Sequence, residues 1–127
     1  MTAPRAPISW GELIDKITIL EIKLERIQSP RSADNVRREL ALLLDLLPEP
    51  QPELDALRGE LRKMNQRLWD IEDAIRTKEA ARAFDAEFIE LARSVYRSND
   101  ERARIKREIN ALLRSDIVEE KQYVRYR

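Results

Sequence analysis

Apolar residues recur in alternating steps of three and four along much of this chain, the spacing expected of helices packed side by side. The first such seam is Trp10, Leu13, Ile17, Leu20, Leu24 and Ile27, and a second stripe of Ile14, Thr18 and Ile22 widens the arc beyond what one neighbour covers. This helix, expected over about 10–28, should touch two partners. It opens at SWGE, where Ser9 and Glu12 have the capping-box spacing, so that hydroxyl and carboxylate satisfy backbone donors the first turn leaves open. QSPRS ends it, because Pro30 cannot donate a hydrogen bond and pushes its predecessor out of helical geometry. Residues 1–8, with Pro4 and Pro7, read as an irregular arm.

A second helix is expected over about 34–47, with Val36, Leu40, Leu43, Leu44 and Leu47 on one side and Leu42 and Leu46 widening that face. PEPQP is a stiff connector, and its last proline, Pro52, suits a helix's first turn. The third helix, about 52–81, has the most regular pattern: Leu54, Leu57, Leu61, Met64, Leu68, Ile71 and Ile75 form a narrow coiled-coil seam. The phase changes at 82–85, where Asp85, between Phe84 and Ile89, looks like a cap with a hydrophobic staple. A fourth helix over about 85–115 follows, and a reverse turn near residue 82 lays the last two antiparallel, setting Asn65 opposite Asn99. The tail, 116–127, either extends the helix or lies extended across a groove. The fold class is all-α: a single domain, a helical bundle built on a long antiparallel coiled-coil hairpin.

The fourth seam has a gap. YRSNDERARIK, residues 96–106, puts Ser98, Asn99, Arg102 and Lys106 where a core wants leucines. With Asn65 facing them, they form one shared polar layer, and buried amides of this kind penalise shifted registers. Arg102 then needs a partner, since an unpaired buried guanidinium is costly. Glu21, placed inside the arc of Ile14, Ile17 and Leu24, is the expected one. If nothing on the chain answers Arg102, then Asn65, Asn99, Arg102 and Lys106 would instead line a small anion pocket.

Composition narrows the functions. Charged residues make up 38% of the chain, against 6% aromatic and two glycines, which favours long helices over strands. Lys plus Arg number 24 and Asp plus Glu 24, so no bulk field draws the chain to nucleic acid or an anionic membrane, and neither is expected as a partner. The chain has no cysteine and no histidine, which removes disulfides, thiolate chemistry and the commonest general base. No apolar run is long enough to cross a bilayer and MTAPRAPIS lacks the core of a secretion signal, so a cytoplasmic location is expected. No metal or other cofactor is expected: Asp70 and Asp73 of DIED share one flank, but hard cations need more oxygens than two. Arg93, Arg97, Arg104 and Arg107 lie on an outward strip laced with acids and read as a solvated face.

The stretches SWGELIDKITILEIKLERI, NQRLWDIEDAIR and ARSVYRSNDERARIKREINALLRSDIVEEKQY resemble a family of short bacterial proteins of unknown function. That resemblance covers most of the chain and implies a bacterial, mainly helical protein without transferring a catalytic residue. LIDKITILEIKLERI also resembles the opening helix of the all-helical chorismate mutases. Those enzymes grip a dicarboxylate with cations from several helices, but here the first turns carry only Lys16, and Arg26 comes at the far end. The apolar width of the first two helices exceeds what a small bundle covers, which predicts a homodimer through Trp10, Ile14, Ile22, Leu42 and Leu46. The leading expectation is a non-enzymatic module that binds itself or another protein. A small-anion or carboxylate-binding protein, with or without catalytic activity, is the alternative.

Overall fold

The computed structural model describes residues 3–126. Its helices are α1 (Trp10–Arg26), α2 (Pro30–Leu44), α3 (Pro52–Ala80) and α4 (Ala86–Leu112), with no strand among the described residues. α1 packs against all three others, one more than its two stripes imply, whereas α2 packs on α1 alone. α3 and α4 share the most extensive packing.

The helix ends follow local chemistry, with some departures from the sequence pattern. Ser9 caps α1 by accepting from the Glu12 amide at 3.1 Å, but the Glu12 carboxylate turns to Lys106. Only the hydroxyl half of the capping box is therefore seen. α1 ends at Arg26, and Pro30 opens α2 from its first turn behind the Ser29 cap, so this helix starts four residues before Asp34. Proline at that place loses nothing, because its missing N–H would have had no partner in the helix. Asp85 caps α4 by accepting from the Phe88 amide at 2.9 Å. Phe84 stacks edge-on against Phe88, 5.2 Å between centroids, while Ile89 stays exposed, so the apolar clip closes through Phe88. The chain turns back at Arg82, whose φ of 53° is the left-handed conformation that ends many helices.

Two apolar clusters share α1. Leu13, Ile17 and Leu20 meet Val36 and Leu40 of α2, while Ile14 meets Leu54 and Leu61 of α3 and Ile105 and Ile109 of α4. Trp10 is half-buried against both. Ile14 and Ile22, expected at a subunit contact, lie inside this chain's own core at 0% and 1% exposure. The reason is the extra neighbour: α3 and α4 together cover the stripe that the sequence left spare.

α1 has 17 residues and spans about 26 Å; α3 has 29 and spans about 43 Å. The far part of the α3–α4 pair thus extends beyond α1. α4 ends at Leu112, and the tail does not prolong it. The tail returns along α4, with Glu119 reaching Lys106, and Tyr126 bonding Asp100 and stacking on Tyr96 at 4.9 Å. No helix of the described residues is long and apolar enough to cross a membrane.

Candidate functional site

The polar layer forms around a residue the seam analysis passes over. Asp15, in the second turn of α1, is completely buried. Arg102 of α4 bonds both its oxygens through Nε, at 3.0 and 3.2 Å, and Oδ2 again through Nη2. Asn65 of α3 donates from Nδ2 to Asp15 Oδ1 at 2.8 Å and to Thr18 Oγ1 at 2.9 Å. The Thr18 hydroxyl in turn donates to the Asp15 carbonyl at 2.8 Å. Arg102 also donates through Nη1 to Asn99 Oδ1 at 3.3 Å. A carboxylate away from water persists only with such a set of charge-assisted donors. The bond to Asp15 raises the Arg102 pKa above its ordinary value, against the pull of burial.

Glu21 is not the partner of Arg102. It is about a quarter exposed on another side of α1, where Arg58 reaches it at 3.2 Å and Arg62 at 3.7 Å. The spacing explains the correction. Gly11 and Asp15, four residues apart, make a third stripe, which faces α4. A helix with three neighbours has no water-facing side left at that stripe, so its acid is buried.

One turn along α4 from Arg102, Lys106 is buried and its Nζ gathers three carboxylates: Glu12 at 2.7 Å, Glu119 of the tail at 2.9 Å and Asp15 at 3.7 Å. Burial pulls the Lys106 pKa down, but its bonds to Glu12 and Glu119 and the charges of Asp15 and Glu12 carry it above the ordinary value. Glu12 shows the mirror effect: burial pushes it up, and Lys106 chiefly brings it below the ordinary carboxylate value. Deeper along the pair, the Gly11 amide donates to Asn110 Oδ1 at 2.7 Å. A Cβ at Gly11 would stand 2.6 Å from the Lys106 carbonyl oxygen, so only glycine lets α1 approach α4 this closely.

Among the described residues, every fully buried side-chain polar atom has a partner. Ser98 lies buried in the gap, and Asn65 and Asn99 border one cleft without bonding each other; Arg102 joins them through Asp15 and its own Nη1. The seam pattern passes over Asp15 and Gly11, gives Thr18 only a place on an apolar stripe, and misses Asn110 and Glu119. The first three share a legible signal, small or polar residues at helical spacing on an otherwise apolar helix. Glu119 has none, because nothing local says where an irregular tail returns. Leu42 stands exposed on α2, and Leu46 in the turn that follows it. The outward arginines meet acids as the spacing implies, Arg97 with Glu90 and Arg104 with Glu101 and Glu108. Asp70 of DIED pairs with Arg26 at 2.6 Å, and no cluster of three or more metal-binding side chains occurs among the described residues.

A family model described as a family of unknown function (DUF6165) matches residues 5–126. No curated protein and no solved structure matches the chain.

Proposed function

We propose, for a chain that belongs to the DUF6165 family of unknown function, a non-enzymatic role as a protein interaction module that pairs with a second copy of itself through the outer face of α2. One observation carries this reading: α2 packs on α1 alone, and Leu42 near its end and Leu46 in the turn just after it are 61% and 56% exposed. Large exposed apolar side chains at the end of a helix with a single neighbour are the kind of surface a symmetric contact covers. The rest of the chain serves as a rigid single-domain scaffold, in which α3 and α4 form a long antiparallel coiled-coil hairpin. The register supports that hairpin: Glu60 meets Arg104 at 4.0 Å near one end and Lys78 meets Glu87 at 3.3 Å near the other. The source proposed is a bacterium, on the resemblance carried by SWGELIDK and VYRSND.

The charges of the polar layer favour this over clamping catalysis. An electrostatic clamp needs cations free to meet the substrate. Here Arg102 is neutralised by Asp15, and Lys106 by Glu12 and Glu119. Sedimentation equilibrium at tens of micromolar tests the proposal. The native chain should sediment as a dimer, and the double variant Leu42→Glu, Leu46→Glu as a monomer with unchanged thermal melting. A native monomer, or a variant that stays dimeric, would refute the contact.

A further inference from the structure

Beside the buried layer, where α1 runs out, a cleft of about 400 Å³ opens over α3 between α1 and α4. Ligand pockets start at roughly this size. Its apolar wall is Ile19 of α1 with Leu68 and Trp69 of α3, and its polar end is formed by Asn65, Asn99 and Arg102. Asn65 is only 6% exposed, and its orientation is fixed, because its Nδ2 must face the acceptor Asp15. Its Oδ1 therefore points away from Asp15, and with no side-chain donor among the described residues bonded to it, it is an acceptor left to water at the cleft. Among the described residues, the Asn99 amide uses its oxygen on Arg102 and leaves its Nδ2 donor free, and two of the five Arg102 N–H groups lack an acceptor. The cleft end thus offers one acceptor beside several donors.

Net charge at the cleft is not positive. Arg102 already holds Asp15, Arg76 lies 4.0 Å from Glu72, and Asp73 adds a further negative charge at the rim. An anion finds no uncompensated cation there. The geometry points to a ligand-binding site for an uncharged amide carrying a flat apolar body. The amide N–H would donate to Asn65 Oδ1, its carbonyl would accept from Asn99 Nδ2 or Arg102, and the body would lie on Trp69 and Leu68. A ligand whose body shuts water out of the cleft would leave Asn65 Oδ1 without a donor, which is costly, so a matching donor has an advantage over molecules of the same shape that lack it. Such an amide could belong to a small primary carboxamide or to a peptide, which share this chemistry.

The site lies away from α2 and stands or falls independently of the dimer contact. Titration of the 15N-labelled full chain followed by NMR tests it, with phenylacetamide as the probe. Saturable shifts of the Asn65 side-chain amide and the Trp69 indole are expected, with phenylacetate and 2-phenylethylammonium binding at least about tenfold more weakly. N-acetylphenylalanine methylamide carries the same ring beside backbone amides, and whichever of the two amides binds more tightly identifies the source. Asn99→Ala, a half-buried position, should weaken binding about tenfold while leaving thermal melting unchanged. Shifts that never saturate with either amide, phenylacetate or the ammonium binding as well as the amide, or full affinity in Asn99→Ala would each overturn the assignment.

Discussion

The α3–α4 pair has two halves built on one seam, and they differ in what covers them. In the half that α1 covers, Leu61, Ile105 and Ile109 are at 1% exposure or less. Beyond the end of α1, Ile75, Phe88, Leu91 and Val95 continue the seam but are only half-buried, and Phe84 and Ile89 are exposed. Two helices alone cannot close a seam around aromatic and branched side chains; a third can. The polar layer sits at the border between the halves, where Asp15 of the covering helix meets Asn65 and Arg102. The comparison teaches that regular spacing marks a contact face, while depth of burial depends on the number of neighbours.

The largest effect should come from removing the carboxylate that joins the three helices. Asp15→Ala leaves Arg102 and Asn65 without their acceptor and should cost about 3–5 kcal/mol in denaturant unfolding. Adding Arg102→Met should restore part of that loss, because an uncompensated buried charge is worse than none. Next, Ile105→Ala in the covered half should cost about 2–5 kcal/mol, and Ile75→Ala in the uncovered half about 1 kcal/mol. Equal losses at the two positions would abolish the distinction between the halves.

The two glycines sharpen it further. Gly11→Ala would drive a methyl into the Lys106 carbonyl and should destabilise by about 1–3 kcal/mol. Gly59, on the outer face of α3, has nothing within 4 Å of an added Cβ, and Gly59→Ala should stabilise by about 0.5–1 kcal/mol.

The ion pair beside the layer gives the smallest expected loss and one that depends on pH. Glu12→Gln should cost about 1 kcal/mol near neutrality, since Lys106 keeps Glu119. Because the Glu12 pKa is lower in the folded chain than its ordinary 4.5, its contribution is complete above that value and fades as pH falls through the lower folded value. Lys106 behaves oppositely. Its contribution is complete below 10.5 and fades as pH rises through the higher folded value. Melting curves from acid to alkaline pH, for the native chain and Glu12→Gln, should therefore converge at the acid end.

Much of this architecture is legible in residue spacing. Steps of three and four from Leu54 to Ile75 mark α3, Asp85 marks the start of α4, and the polar gap at 98–106 marks the border of the covered half. These features are local, because helix periodicity and capping depend on residues within a turn or two of each other. Proline is two-sided: Pro30 bars a continuing helix, and Ser29 before it is extended, but it also suits the first turn of a new one, so the spacing places the start of α2 four residues late. The partner of Arg102 was a different kind of question. Glu21 and Asp15 are both acids on α1, and only the direction from which α4 approaches decides between them.

By itself, then, the sequence determined four amphipathic helices, the absence of thiol and imidazole chemistry, and the need for some acid to answer a buried arginine. Tertiary structure decided which acid it is, that Ile14 and Ile22 face inward, and that Asn65 and Asn99 border one cleft. The physical reason is range. Hydrogen-bond geometry within a helix is fixed over a few residues, whereas the pairing of side chains 50 and 87 positions apart depends on how whole helices pack.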